Sequence, residues 1–156
     1  HRPLSRKSEG GRFLAVKRGE WDEQSGRPPA WDDEGLRERF ELWRRGETGE
    51  PFVDAHLREL ALTGHLSSFG RRLVASYLCH ELGLDWRWGA AWFASQLLDD
   101  DPSVNLAVWM EVTGRWRAFD RPGRLNSAEQ AAHRDPDGVY CCRWLETAGA
   151  VSRRYG

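Results

Sequence analysis

The stretch DWRWGAAWFASQLLDDDPSVNLAVW, from Asp85 to Trp109, places four tryptophans beside three consecutive aspartates. The large apolar residues of its first half share one helical stripe: Trp88, Trp92, Phe93 and Leu97. Asp101 followed by Pro102 is a typical helix start, with a capping carboxylate and a proline in the first turn. We therefore predict two short helices joined by an acidic loop, the second running from Ser103 to about Thr113.

Similar patterns on both sides predict further helices. One follows Asp32 and ends at Gly46, one begins at Pro51 and ends at Gly64, one covers Ser67 to Gly83, one opens with a capping box at Ser127–Gln130, and one covers Val139 to about Ala148. No alternating pattern indicates a strand. The sequence predicts an all-α fold, an array of about six short helices.

Composition restricts the class of protein. The 156 residues suit one domain, predicted over 32–148, with an extended arm at 1–31 and a tail at 149–156. A formal net charge of −1 does not favour nucleic acid or an anionic membrane as a partner of the whole chain. No apolar run approaches the 18 residues of a membrane span.

Cysteine and histidine usage favours an intracellular protein without a metal. An odd count of three cysteines, with Cys141 and Cys142 adjacent, is a poor disulfide framework, so we expect a reducing compartment and no secretion. A chain that begins at His1 is compatible with removal of a targeting segment, which would allow a plastid or mitochondrion. The histidines lack metal-ligand spacing: His56, His65, His80 and His133.

Three ordered blocks carry a family resemblance. They are FELWRRGETGEPFVDAHLRELALTGHLSSFGRRLVASYL, LDWRWGAAWFASQLLDDDPSVNLAVW and, more weakly, GRLNSAEQAAHRDPDGVYCCRWL. Together, from about Phe40 to Leu145, they resemble the C-terminal helical FAD-binding domain of the cryptochrome/DNA photolyase family, nearest to the DASH cryptochromes. Several blocks in order are far more specific than one short motif.

The resemblance implies FAD as the cofactor and assigns positions around it. Asn105 matches the asparagine that faces flavin N5, and Asp99 and Asp101 match aspartates near the flavin's polar edge and ribityl chain. Arg71 matches the arginine that pairs with Asp99. Ser68 occupies a cofactor-binding position where the family has asparagine.

The tryptophans have two interpretations. By resemblance, Trp109 and Trp86 match the proximal and middle members of the family's electron-transfer chain. The outer position falls at Asp33, and Trp31 or Trp21 could replace that member. Alternatively, both rings are simply core residues, since tryptophan supplies much buried area.

Departures from the family pattern guide the functional hypothesis. The sequence holds no segment resembling the N-terminal α/β antenna domain or the phosphate-binding block of the family. The family's SNRxRQ is SSFGRR here, with Phe69 and Arg72 in place of other residues. Leu106 and Val108 stand where smaller or polar residues pack beside the flavin, so they could fill its space.

The resemblance and these departures together leave three functional hypotheses. The first hypothesis is a degenerate, non-catalytic scaffold or accessory subunit of a larger protein assembly. The alternative is the C-terminal part of a FAD-binding, blue-light cryptochrome or photolyase flavoprotein, which if active would be a light-driven photolyase-type enzyme. The third is a nucleic-acid-binding module with a basic groove formed by Arg71, Arg72, Arg115, Arg117, Arg121 and Arg124.

Overall fold

A computed structural model describes residues 34–114 and 124–146 of the chain. The described helices are α1 (Glu34–Arg45), α2 (Pro51–Thr63), α3 (Ser68–Ser76), α4 (Trp86–Gln96), α5 (Pro102–Thr113), α6 (Ser127–Arg134) and α7 (residues 139–146). The all-α prediction is confirmed, and the described part of the chain holds no strand. The predicted arm and tail, the outer position at Asp33, and its candidate replacements Trp21 and Trp31 lie outside the described residues.

Helix ends follow the capping residues, with one correction. The Asp101 carboxylate accepts hydrogen bonds from Ser103 N (2.9 Å) and Val104 N (3.3 Å), as expected for an N-cap. The predicted capping box at Ser127 is wrong by one residue, because Asn126 caps α6 by accepting a hydrogen bond from Glu129 N at 3.0 Å. Asn and Ser are about equally good caps, so the local sequence does not decide between them.

The prediction of one uninterrupted α-helix over 67–83 is also wrong, because the α-helix is shorter. It ends at Ser76 and continues as a π-helical turn, Tyr77–Glu81, closed by a hydrogen bond from Leu82 N to Tyr77 O at 3.0 Å. The wider turn keeps Leu78 buried while His80 Nε2 donates to the Val112 carbonyl of α5 at 2.9 Å. The apolar period alone could not show this tertiary requirement.

The core is a continuous cluster of aromatic rings between α1, α4 and α5. Ring centroids lie 5.1 Å apart for Phe93 and Trp109, 6.3 Å for Trp43 and Phe93, and 5.8 Å for Phe40 and Trp43. All four side chains are fully buried. The indole of Trp43 donates to the Val74 carbonyl at 3.0 Å, so its polar nitrogen is satisfied inside the core.

A second cluster of side chains packs α7 against α2. The Tyr140 hydroxyl of α7 donates to the Glu59 carboxylate of α2 at 2.6 Å, and the Tyr140 ring lies 4.5 Å from the buried His56 ring. The His56 Nδ1–H donates to Phe52 O at 2.7 Å. Burial lowers the pKa of His56 below its ordinary value of 6.5, so folding favours the neutral ring.

Acidification is therefore expected to weaken the fold through His56. The unfolded chain takes up a proton on this histidine near pH 6.5, whereas the folded chain does so only at lower pH. The free energy of unfolding should fall as pH drops below about 6.5, by at most about 1.4 kcal/mol per pH unit from this group. Urea titrations at several pH values measure the slope. His56→Gln should reduce it, and the exposed His133→Gln should not; equal slopes in both variants would contradict this origin.

Among the described residues, no helix combines the length and the apolar character required to cross a membrane.

Candidate functional site

Two loops bring Arg71 and Asp99 together. The loop after α4 is tied to the loop after α2 by a hydrogen bond from Leu98 N to Gly64 O at 2.9 Å. Gly64 permits this approach: it has a φ of +70°, and a Cβ there would lie 2.6 Å from Leu98 Cγ. Arg71 Nη2 lies 3.1 and 3.2 Å from the two carboxylate oxygens of Asp99, while its Nε donates to Leu66 O at 2.9 Å. The pair implied by the resemblance is therefore formed.

The two side chains of this pair differ in their exposure to solvent. The Arg71 side chain is 12% exposed, but that of Asp99 is 61% exposed. Solvent screens an exposed carboxylate, so loss of its partner does not strand a buried charge. The carboxylate of Asp99 instead faces outward, where it can meet a ligand.

The two partners should differ in their effect on stability. Arg71→Ala is expected to lower the free energy of unfolding by about 1–2 kcal/mol, because it removes packing and the bond to Leu66 O as well as the ion pair. Asp99→Ala should cost less than about 1 kcal/mol. Urea unfolding of both variants measures the difference. A loss of about 3–5 kcal/mol for Arg71→Ala would instead indicate a buried, uncompensated carboxylate.

The side-chain amide of Asn105 is buried, and both its nitrogen and its oxygen form hydrogen bonds. Its Nδ2 donates to Ala90 O of α4 at 2.9 Å, and its Oδ1 accepts from Trp109 Nε1 at 3.0 Å. The N-cap Asp101 and the α5 residues Asn105 and Trp109 are spaced by four residues, so they lie along one side of that helix. This stripe leads from an exposed carboxylate to a fully buried indole.

The two tryptophans of the implied electron-transfer chain have different surroundings. Trp109 is fully buried in the core, which is compatible with either interpretation of this residue. Trp86 is half-buried at the start of α4 and borders a cavity of about 650 Å³. His80 and Met110 line the same cavity. The electron-transfer role of both rings stays a prediction.

The remaining candidate positions lie on α3 and α5. Ser68 is exposed at the first residue of α3, directly after the N-cap Ser67. Leu106 is 43% exposed and contributes to the surface, whereas Val108 packs partly against the core. Leu98 and Val104 are also exposed. The exposed apolar side chains of this region thus lie on α5 and in the loop after α4.

Two groups of side chains have no counterpart in the sequence-based prediction. Phe69 lies beneath the Arg134 guanidinium, which is 3.6 Å from the ring centroid, and the Tyr140 hydroxyl reaches Glu59 across 81 residues of sequence. Neither pair is close in sequence, so no spacing could indicate it. Near Tyr140, burial and Asp135 raise the pKa of the Cys141 thiol to about 12, which keeps it protonated at neutral pH.

Metal ligation finds no support in the part of the chain that the structure describes. No three His, Cys, Asp or Glu side chains are grouped there so as to hold a metal ion.

The described part of the chain is thus a helical domain in which an arginine–aspartate pair joins α3 to the loop after α4, and a buried amide and a buried indole lie on α5. The family model for the FAD binding domain of DNA photolyase matches residues 12–155. The chain belongs to this family.

Named relatives agree with this assignment. The chain is 46% identical to a cryptochrome DASH of Synechocystis over 115 residues, which is 74% of this chain and 23% of that protein. It is 37% identical over 146 residues to a tomato protein named cryptochrome DASH, chloroplastic/mitochondrial, covering 91% of this chain and 25% of the relative. The chain therefore spans about a quarter of the length of these relatives.

Solved structures agree as well. The crystal structure of the Synechocystis cryptochrome matches with a TM-score of 0.67 and 47% identity, over 70% of this chain and 23% of that one. An archaeal photolyase from Sulfolobus tokodaii, described as holding two FAD molecules, matches with a TM-score of 0.67 and 34% identity, over 74% of this chain and 26% of that one.

Proposed function

We propose that this chain forms the FAD-contacting helical part of a cryptochrome/photolyase-type flavoprotein. The single observation that carries the proposal is the Asn105 amide, which is buried, fixed between Ala90 O and the Trp109 indole, and placed one turn after Asp101. An amide held in this way has a defined orientation, which is what recognition of a flavin ring edge requires.

The residues present fit such a cofactor. The exposed Asp99 carboxylate, oriented by Arg71, would accept hydrogen bonds from the flavin's polar edge or ribityl hydroxyls. The remaining N–H of the Asn105 side chain would be directed by its two fixed hydrogen bonds. When bound, FAD would supply light-driven electron transfer, and Trp109 lies directly behind Asn105 at hydrogen-bond distance.

Flavin binding tests the proposal. The purified chain is titrated with FAD, alone and together with the remaining part of the Synechocystis relative, and flavin absorbance retained after gel filtration is measured. Asn105→Ala should weaken binding about tenfold, because one oriented hydrogen bond to the cofactor is lost. Arg45→Ala on α1 is the control, since Arg45 is an exposed residue whose ion pair joins it to Glu41 of the same helix (3.4 Å). Folded protein without FAD in both mixtures at roughly millimolar FAD would overturn the proposal.

A scaffold role is the second candidate, and one observation favours it. Leu98, next to Asp99 in the loop after α4, and Val104 and Leu106 on α5 are exposed, and a contiguous apolar surface formed by such residues would mark a site of interaction with a partner. If protein covers it, Leu98→Asp combined with Leu106→Asp should release the chain from its assembly in sedimentation experiments, without any flavin absorbance. A yellow protein that stays monomeric would contradict this role.

Nucleic-acid binding has less support from the described residues. Arg71, Arg72 and Arg124 each form an ion pair, with Asp99 (3.1 Å), Glu111 (3.5 Å) and Glu81 (2.8 Å). Arg115, Arg117 and Arg121 lie outside the described residues. Binding that falls steeply with salt would support this function.

For the compartment, we propose a reducing intracellular one, with a plastid or mitochondrion included. The three thiols of Cys79, Cys141 and Cys142 are free, and relatives named as chloroplastic/mitochondrial match over 86–92% of this chain.

A further inference from the structure

Helices α6 and α7 bury little of their surface. No residue of α6 is buried, whereas α2 and α4 each bury more than half of their residues. On α7 four residues are half-buried and the others are exposed; the half-buried ones are Tyr140, Cys141, Trp144 and Leu145. Segments with few buried apolar contacts open locally, at a lower free energy than the core. Detachment of α7 is therefore expected to need less free energy than unfolding of the whole domain.

The His56 ring lies beneath α7. It is 5% exposed, and its centroid lies 4.7 Å from that of Phe52, 6.0 Å from that of Phe69 and 4.5 Å from that of Tyr140. Helix α3 closes another side, since a Cβ added at Gly70 would lie 2.7 Å from His56 Cδ2. Among these neighbours only Tyr140 belongs to the weakly buried α7. Water therefore reaches the imidazole most easily when α7 moves away.

The carboxylates that face His56 already hold α7 in place. Glu59, one turn later on α2, accepts a hydrogen bond from the Tyr140 hydroxyl at 2.6 Å. Asp135 accepts hydrogen bonds from two backbone N–H groups in the first turn of α7, at 2.9 and 3.0 Å. Both carboxylates favour a charged imidazole, and the Arg134 guanidinium of α6 opposes it. A protonated His56 can thus gain either carboxylate fully only by competing with a bond that fastens α7.

Protonation of His56 is unfavourable while α7 covers it. Its Nδ1–H already donates to Phe52 O at 2.7 Å, and a proton on Nε2 would add a charge to a ring almost inaccessible to water. Burial accordingly lowers the pKa of His56 below 6.5, despite the two carboxylates. With α7 detached, the hydrated imidazole regains a pKa near 6.5. Acid therefore favours the detached form over the closed one.

From this arrangement we propose that α7 is an acid-released clasp: a proton on His56 detaches residues 135–146 from α2 while α1–α5 stay folded. Detachment breaks the bond between Tyr140 and Glu59, so that the carboxylate and water can surround the imidazolium. It also uncovers the Phe52 ring, which is buried in the closed form. The clasp is closed near neutral pH and opens in the acid range below about 6.5.

Hydrogen exchange of the full 156-residue chain, followed by NMR between about pH 5 and pH 8, tests the clasp. After correction for intrinsic exchange, protection of the Tyr140 and Cys141 amides should fall by up to about tenfold per pH unit below about pH 6.5. The amide of Trp109, in the core helix α5, should stay more strongly protected at every pH. The measurement needs no flavin, so failure of the flavin proposal leaves it unaffected.

Three variants separate the proton on His56 from the other contacts. His56→Gln keeps a donor for Phe52 O but cannot take up a proton in this range, so the pH dependence of α7 protection should disappear. His133→Gln, at an exposed position on α6, is the control and should behave as the wild type. Tyr140→Phe keeps the ring over His56 and loses the bond to Glu59. It should lower α7 protection about three- to tenfold even at pH 8, where His56 is neutral.

Two results would overturn the proposal. One is a pH dependence of α7 protection that persists unchanged in His56→Gln. The other is equal protection of the α7 amides and the Trp109 amide at every pH, because α7 would then open only with the whole domain. If His56→Gln does not fold, NMR titration of the wild-type His56 ring decides: its signals and those of α7 must change over the same pH range, and different ranges would exclude the clasp.

Discussion

Gly89→Ala is expected to lower the free energy of unfolding by about 3 kcal/mol, although it adds only one methyl group. A Cβ at Gly89 would lie 2.1 Å from Trp109 Cη2 and 2.6 Å from Trp109 Cζ2. Trp109 is fully buried against Phe93 and bonded to Asn105, so its ring has no free space into which it can move. The substitution should therefore force α4 and α5 apart.

A double-mutant cycle identifies the cause. In a Trp109→Phe background the added methyl group meets a shorter ring, so Gly89→Ala should cost only about 1 kcal/mol there. Urea unfolding of the four proteins gives the coupling energy. Gly83→Ala is the control: this glycine has a φ of +65°, but a Cβ added there would meet no atom within 4 Å, so only backbone strain of about 1–2 kcal/mol is expected. Equal costs of Gly89→Ala in both backgrounds would show that Trp109 is not the obstacle.

Asp54→Ala is expected to cost about 3–4 kcal/mol, because it removes a buried carboxylate that organises the turn before α2. Asp54 is 6% exposed and accepts three hydrogen bonds, from Thr48 Oγ1 (2.5 Å), Thr48 N (2.9 Å) and Gly49 N (3.0 Å). Without it, two backbone N–H groups lose their acceptor in a part-buried position. The entry of α2 into the core depends on this turn.

The Asp101 N-cap provides a control of the same residue type. Asp101→Ala removes hydrogen bonds to the N-terminus of α5 at an exposed position, so a loss of about 1 kcal/mol is expected. Chemical unfolding of both variants, with hydrogen exchange at Thr48 N and Gly49 N, compares the two carboxylates. Similar losses would mean that burial adds nothing to the role of Asp54.

Local signals predicted most of the described helices. Pro51 and Gly64 mark the ends of α2, and Asp101 with Pro102 starts α5, because capping and proline effects act within one turn. Prediction failed where two local solutions have similar free energies. Asn126 and Ser127 cap equally well, and over only five residues the apolar pattern does not distinguish the π-helical turn after Ser76 from an α-helix.

The residues of the candidate site were predicted by resemblance, but the solvent exposure of its ion pair was not. The implied Arg71–Asp99 pair is formed, but its exposure depends on how the loops after α2 and α4 pack together. The contacts of Phe69 with Arg134 and of Arg72 with Glu111 join residues that are distant in sequence. Spacing along the chain carries no information about such contacts.

By itself, the sequence determined the fold class through local periodicity and the family through ordered motifs, and the residues of the candidate flavin site are a prediction from that family resemblance. Only the tertiary structure decided which charges are screened by water, that Gly89 lies against Trp109, and that Tyr140 covers His56. Burial and distance depend on how whole helices pack, and packing sums contacts over the entire chain.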